Sequence, residues 1–124
     1  MAAYALTESK MSQSDLSQEV VEARELRLYL RTVGDTVRLQ ILRRLARNGE
    51  MSVTELAREL RVSQPLVSWH LGVLRRIELV SIRREGRLVW YSLNRPQLRA
   101  FRERFTAWIA AMDGTADKGS EADA

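Results

Sequence analysis

The residues best suited to recognition chemistry crowd into one stretch, Ser63-Gln64-Pro65-Leu66-Val67-Ser68-Trp69-His70-Leu71-Gly72-Val73-Leu74-Arg75-Arg76. On a helix of about 100° per residue, Val67, Leu71 and Leu74 fall within about 60° of one another and mark a side to be buried. Pro65, Trp69, Gly72 and Arg76 lie opposite, Ser68 and Arg75 on one flank, His70 on the other, and Gln64 projects from the helix tip. A carboxamide and a hydroxyl can bond base edges, and guanidinium groups match phosphate bidentately. Gly72 would let a neighbouring surface approach closely. Trp69 suits either a groove-facing position or a place under a tail or the hairpin described below. His70, at the margin of the apolar side, reads better as a structural imidazole bonded to a neighbour than as a contact.

Other chemistries find little support. There are no cysteines, so disulfides, thiolate metal sites and cysteine nucleophiles are excluded, and a single histidine makes a zinc centre improbable. No convergent acid, base or nucleophile set and no phosphate loop is present, so neither an enzyme nor a cofactor is expected. The length, 124 residues, suits one small domain, and 45% hydrophobic with 29% charged residues suits a modest core. No apolar run approaches the roughly 18 residues of a membrane span, and no secretory signal is visible, so the cytoplasm is the expected location.

Charge is unevenly placed. Residues 1–20 and 114–124 each carry one lysine against three acids, whereas residues 21–113 carry eighteen arginines against ten acids and no lysine. A basic segment between acidic ends suggests a polyanion such as nucleic acid, although arginines that merely decorate solvated helices would give the same composition.

The elements that would position these residues can be read from caps and periods. A tail over 1–16 and an acidic tail over 114–124 have too little apolar surface to order, leaving a domain over 17–113. A first helix is expected from Ser17 to about Thr32, stopped by Gly34, and a second from the Asp35 cap to Asn48-Gly49. Ser52-Val53-Thr54-Glu55 is a capping box for a third, and only Arg61-Val62-Ser63 separates it from the fourth, as in a helix-turn-helix. Alternation in Val80-Ser81-Ile82-Arg83 and Leu88–Leu93 around Arg84-Glu85-Gly86-Arg87 predicts a hairpin with a basic tip. Asn94 then caps a last helix with Leu98, Phe101, Phe105, Trp108 and Met112 at steps of three and four. The fold class is therefore mainly α with a β-hairpin (α+β).

Ser63 to Leu74 resembles the recognition-helix signature of the ArsR-type winged helix-turn-helix transcriptional regulators. Asp35 to Leu42 resembles that family's second helix, and Arg84 to Tyr91 its wing, so the likeness spans about residues 21–112. It implies a cytoplasmic homodimer that binds a palindromic operator in double-stranded DNA and represses transcription. The implied DNA contacts are Ser63, Gln64, Pro65, Ser68, Trp69, His70, Arg75, Arg76, Arg83, Arg84 and Arg87. Gln64 and Ser68 are the base readers, Arg75 and Arg76 meet phosphate, and Arg83, Arg84 and Arg87 on the wing meet phosphate or the minor groove. First and last helices make the family's dimer interface, here Leu26, Tyr29, Leu30, Leu98, Phe101, Phe105, Trp108 and Met112, a stripe that must also serve the chain's own core. The metal-sensing positions depart from the family. Ser52 and Thr54 stand where thiolates would be, and the last helix has no histidine and only Glu103 as an acid through residue 112, so no metal is expected. A winged helix that grips a partner protein through Trp69 and the hairpin is the alternative.

Overall fold

The computed structural model describes residues 11–114. Among the described residues there are five helices, and each begins on a residue whose side chain accepts a backbone N–H of the first turn. The helices are α1 (Gln13–Val33), α2 (Thr36–Asn48), α3 (Val53–Leu60), α4 (Gln64–Arg76) and α5 (Arg95–Asp113), and strands β1 (Val80–Glu85) and β2 (Leu88–Leu93) lie between α4 and α5. This is the expected winged helix-turn-helix.

One boundary differs from expectation. The first helix starts at Gln13, not Ser17, because Ser12 and Asp15 cap it reciprocally, Asp15 N donating to Ser12 Oγ at 3.1 Å and Ser12 N to Asp15 Oδ2 at 3.2 Å. Residues 13–16, assigned to the tail from composition, are therefore helical. The rest of the expected tails, 1–10 and 115–124, lies outside the described residues.

The turn between α3 and α4 is built from local chemistry. Ser52 and Glu55 form the capping box of α3, and Arg61 closes that helix in the left-handed region at φ 57°. Ser63 then accepts the Leu66 N–H at 3.4 Å and starts α4, with Pro65 in a first turn that has no use for its missing donor. Ile41, Leu45, Leu56, Val67, Leu71, Leu74 and Leu79 are fully buried between α2, α3, α4 and the base of the hairpin. That core sets the roll of α4, and so determines which of its residues meet solvent.

The hairpin pairs antiparallel from Val80↔Leu93 to Glu85↔Leu88. Gly86, at φ 61°, takes the first of its two loop positions, where a two-residue turn needs a residue free to adopt positive φ. A further bridge joins Met51 to Tyr91, with N–H···O bonds of 2.9 and 2.8 Å, so the hairpin is stitched to the segment before α3.

α5 is the exception to burial: none of its residues is fully buried. It lies on α1 through Tyr29 stacked on Phe101, with centroids 5.2 Å apart, and within α5 Phe101 stacks in turn on Phe105 at 5.9 Å. Gln97 Nε2 bonds both the Tyr29 hydroxyl and the Ile77 carbonyl, fixing the start of α5 against α1 and the end of α4.

Candidate nucleic-acid interface

α4 divides as its period demands. Val67, Leu71 and Leu74 face the core, while Ser63, Gln64, Pro65, Ser68, Trp69, Gly72, Arg75 and Arg76 are exposed. Trp69 keeps 58% of its surface in contact with solvent, and no part of the hairpin is among its ring contacts. Its ring neighbours are the edge of His70, centroids 5.0 Å apart at 71°, and the guanidinium of Arg38, 5.9 Å from the ring centroid. The indole therefore stands on the outer side, beside the polar groups of the helix.

His70 does not belong to that side. It is only 5% exposed, and its Nδ1 lies 3.0 Å from Arg38 Nη1. An arginine can only donate, so Nδ1 accepts and the neutral ring carries its proton on Nε2. Arg38 Nε also donates to the Thr32 carbonyl, and Asp35 caps α2 by accepting the Arg38 backbone N–H at 3.1 Å. Burial pushes the His70 pKa down, partly opposed by Asp35, 3.9 Å away, while the positive Arg38 reinforces the depression. The capping bond from the Arg38 amide holds the Asp35 carboxyl below the usual carboxylate range. His70 is thus an interior strut between α2 and α4, and is withdrawn from the DNA contacts that the resemblance implied.

The wing arginines separate in the same way. Arg83 donates from Nε and Nη2 to both oxygens of Glu50, at 2.9 and 3.0 Å, and from Nη1 to Glu85 at 2.8 Å. Two carboxylates offset its charge, so in the free protein it fastens the hairpin to the turn after α2. Arg84 and Arg87 at the tip, like Arg75 and Arg76 on α4, are exposed and have no ion-pair partner among the described residues. These four are the uncompensated cations of the surface made by α4 and the hairpin.

The stripe on the first and last helices is used partly within the chain. Leu26 is buried, and Tyr29, Leu98, Phe101, Phe105 and Trp108 are half-buried, whereas Leu30 and Met112 remain exposed. Leu16, Val20, Leu28 and Ile109 join those exposed residues, and none of them was singled out from the sequence. Placing the helix start at Ser17 hid Leu16, whose four-residue spacing to Val20 would have extended the stripe. Between α1 and α5 runs an open groove of about 700 Å³, lined by Leu26, Trp108 and Met112 and edged by Glu19, Glu22 and Glu25.

Of the two residues that the resemblance would place at thiolate positions, the Ser52 hydroxyl caps α3 and Thr54 is exposed. Among the described residues no three His, Asp or Glu side chains gather as a metal site. No described helix is long and apolar enough to cross a membrane.

Comparison with known proteins places this geometry. Residues 35–81 match the model of the bacterial regulatory protein, arsR family. Over 76 residues the chain is 42% identical to the transcriptional activator HlyU of Vibrio cholerae, covering 61% of this chain and 69% of that protein. It is 34% identical over 64 residues to the transcriptional repressor SdpR of Bacillus subtilis, covering 52% of this chain and 70% of the relative. The structure of an ArsR-like transcriptional regulator from Rhodococcus sp. RHA1 superposes with a TM-score of 0.62 at 27% identity, covering 78% of this chain and 94% of that one. The chain spans 60–70% of the length of curated relatives such as these.

Proposed function

The chain belongs to the arsR family of bacterial regulatory proteins, and on that premise we propose that it is a sequence-specific DNA-binding repressor acting as a homodimer on a palindromic operator. The observation that carries this reading is the division of α4, whose core residues hold Gln64, Ser68, Trp69, Arg75 and Arg76 outward on one rigid element. Gln64 in the first turn is suited to an adenine edge and Ser68 to a base or a phosphate. Arg75, Arg76, Arg84 and Arg87 supply the sequence-independent attraction that positions the reading helix.

The dimer follows from exposed apolar residues on α1 and α5. Leu16, Val20, Leu30, Ile109 and Met112 are only partly covered within the chain, and a two-fold contact would bury them further. A palindrome is the matching sequence for two copies of α4 related by that axis. The input that releases the repressor does not use the family's thiolate positions, since those side chains here are hydroxyls. Cytoplasmic action accords with a DNA partner.

Selection of bound sequences from random duplexes by the full chain, followed by titration over a salt series, tests the reading. A symmetric consensus is expected, with affinity falling on the order of 10³-fold between about 50 and 200 mM salt if roughly six phosphates are neutralised. The exposed indole also suits a protein partner. Failure to enrich any duplex, even in dilute salt, would favour that second reading.

A further inference from the structure

On the DNA-binding reading, we propose that Trp69 is a specificity-determining residue that reads the 5-methyl group of one thymine per operator half-site. Its neighbours on the outward side of α4 are a carboxamide, a hydroxyl, two guanidinium groups and one other large apolar side chain, Leu66 at 44% exposed, so the indole, at 58%, is the larger and more open apolar surface of that side. The edges of stacked base pairs in the major groove are lined with donors and acceptors, and the thymine methyl is the apolar feature among them. An indole that lay against polar edges would strip them of water without replacing their hydrogen bonds. Against a methyl it buries apolar area on both sides. Stacking between bases is the other use of an aromatic side chain, but wedges of that kind work from the minor groove, not from a recognition helix lying in the major groove.

The position of the ring is held before DNA arrives. Arg38 lies over the indole, 5.9 Å from its centroid, and is itself held by the Thr32 carbonyl and by His70 Nδ1 at 3.0 Å. The His70 edge, 5.0 Å away, closes a second side. A half-buried arginine and a buried histidine thus form a shelf, and the shelf leaves 58% of the tryptophan open. Little rotamer freedom remains to be lost on binding. Arg38 is accordingly a positioning residue for the methyl contact.

The test uses the full chain and the duplex it selects from random DNA. Each thymine is replaced singly by deoxyuridine, which removes only the methyl, and affinities are measured by fluorescence anisotropy for the wild type, Trp69→Ala and Arg38→Gln. One thymine per half-site should stand out, its replacement weakening the wild type about 4-fold, the equivalent of one buried methylene-sized group. Trp69→Ala should lose that response while retaining its response at other thymines, and Arg38→Gln should reduce it. A flat deoxyuridine scan of the wild type overturns the proposal whether or not either variant folds. So does a sensitive thymine that stays equally sensitive in Trp69→Ala, and an unchanged response in Arg38→Gln overturns the shelf. A protein that selects no duplex overturns the nucleic-acid reading itself, whereas one that selects a duplex but ignores its methyls overturns only the role given to Trp69.

Discussion

Gly72 stands midway along α4 on its exposed side, and a Cβ added there would meet no atom within 4 Å. Alanine in a helix interior is worth about 1 kcal/mol over glycine. Gly72→Ala should therefore raise the urea midpoint of the free protein yet, on the proposed reading, weaken operator binding by holding the duplex off the exposed side of α4. Tighter binding by the stabilised variant would remove the reason for a glycine at this place. His70 gives a second prediction at the same scale. The unfolded imidazole titrates near 6.5, whereas burial depresses the folded value, so below about pH 6.5 the unfolded chain binds more protons. Stability should be complete above that value, fall as pH drops through it, and stop falling below the folded value. Because the chain has no other histidine, His70→Gln should flatten urea midpoints between about pH 7 and pH 5. The apolar side of α4 was legible from Val67, Leu71 and Leu74, and the marginal place of His70 was too. Its partner was not, since Arg38 lies 32 positions away and looks like any other helix arginine.

The elements were legible where a cap is local. Ser52 with Glu55, Ser63 ahead of Pro65, and Asn94 announced α3, α4 and α5 because each cap closes within three residues. Ser12 with Asp15 is the same device, hidden in a stretch whose composition resembles a tail. The wing shows the limit of such reading. Its basic tip is evident, but Arg83 meets a Glu50 that lies 33 positions earlier, and no periodicity links the two. The pair sits with about half of each side chain exposed, which keeps its contribution near or below about 1 kcal/mol. Arg84→Ala should therefore reduce the slope of log affinity against log salt by about one charge. Arg83→Ala should leave that slope nearly intact and lower the urea midpoint slightly. If the two variants shift the slope equally, Arg83 reaches phosphate in the complex and the Glu50 pair opens on binding.

On the scale of the whole molecule, the surplus of arginine over acids between residues 21 and 113 gives an attraction without sequence preference, and α4 adds the preference. Two copies are needed for a two-fold site. Ile109→Glu is a cleaner probe of that pairing than a change at Phe105, which stacks on Phe101 within the chain, whereas Ile109 is 42% exposed. Sedimentation should report monomers with weak operator affinity, and an unshifted coefficient would assign the pairing to another surface. The absence of any fully buried residue on α5 carries one more consequence. On the proposed pairing, α5 is held down half by its own chain and half by a second copy, and is only as firm as that copy is abundant. Thermal midpoints should then climb with dilution reversed, rising steadily as the sample is concentrated. In a cell, the dose of the protein would set how many chains are sound as well as how many exist.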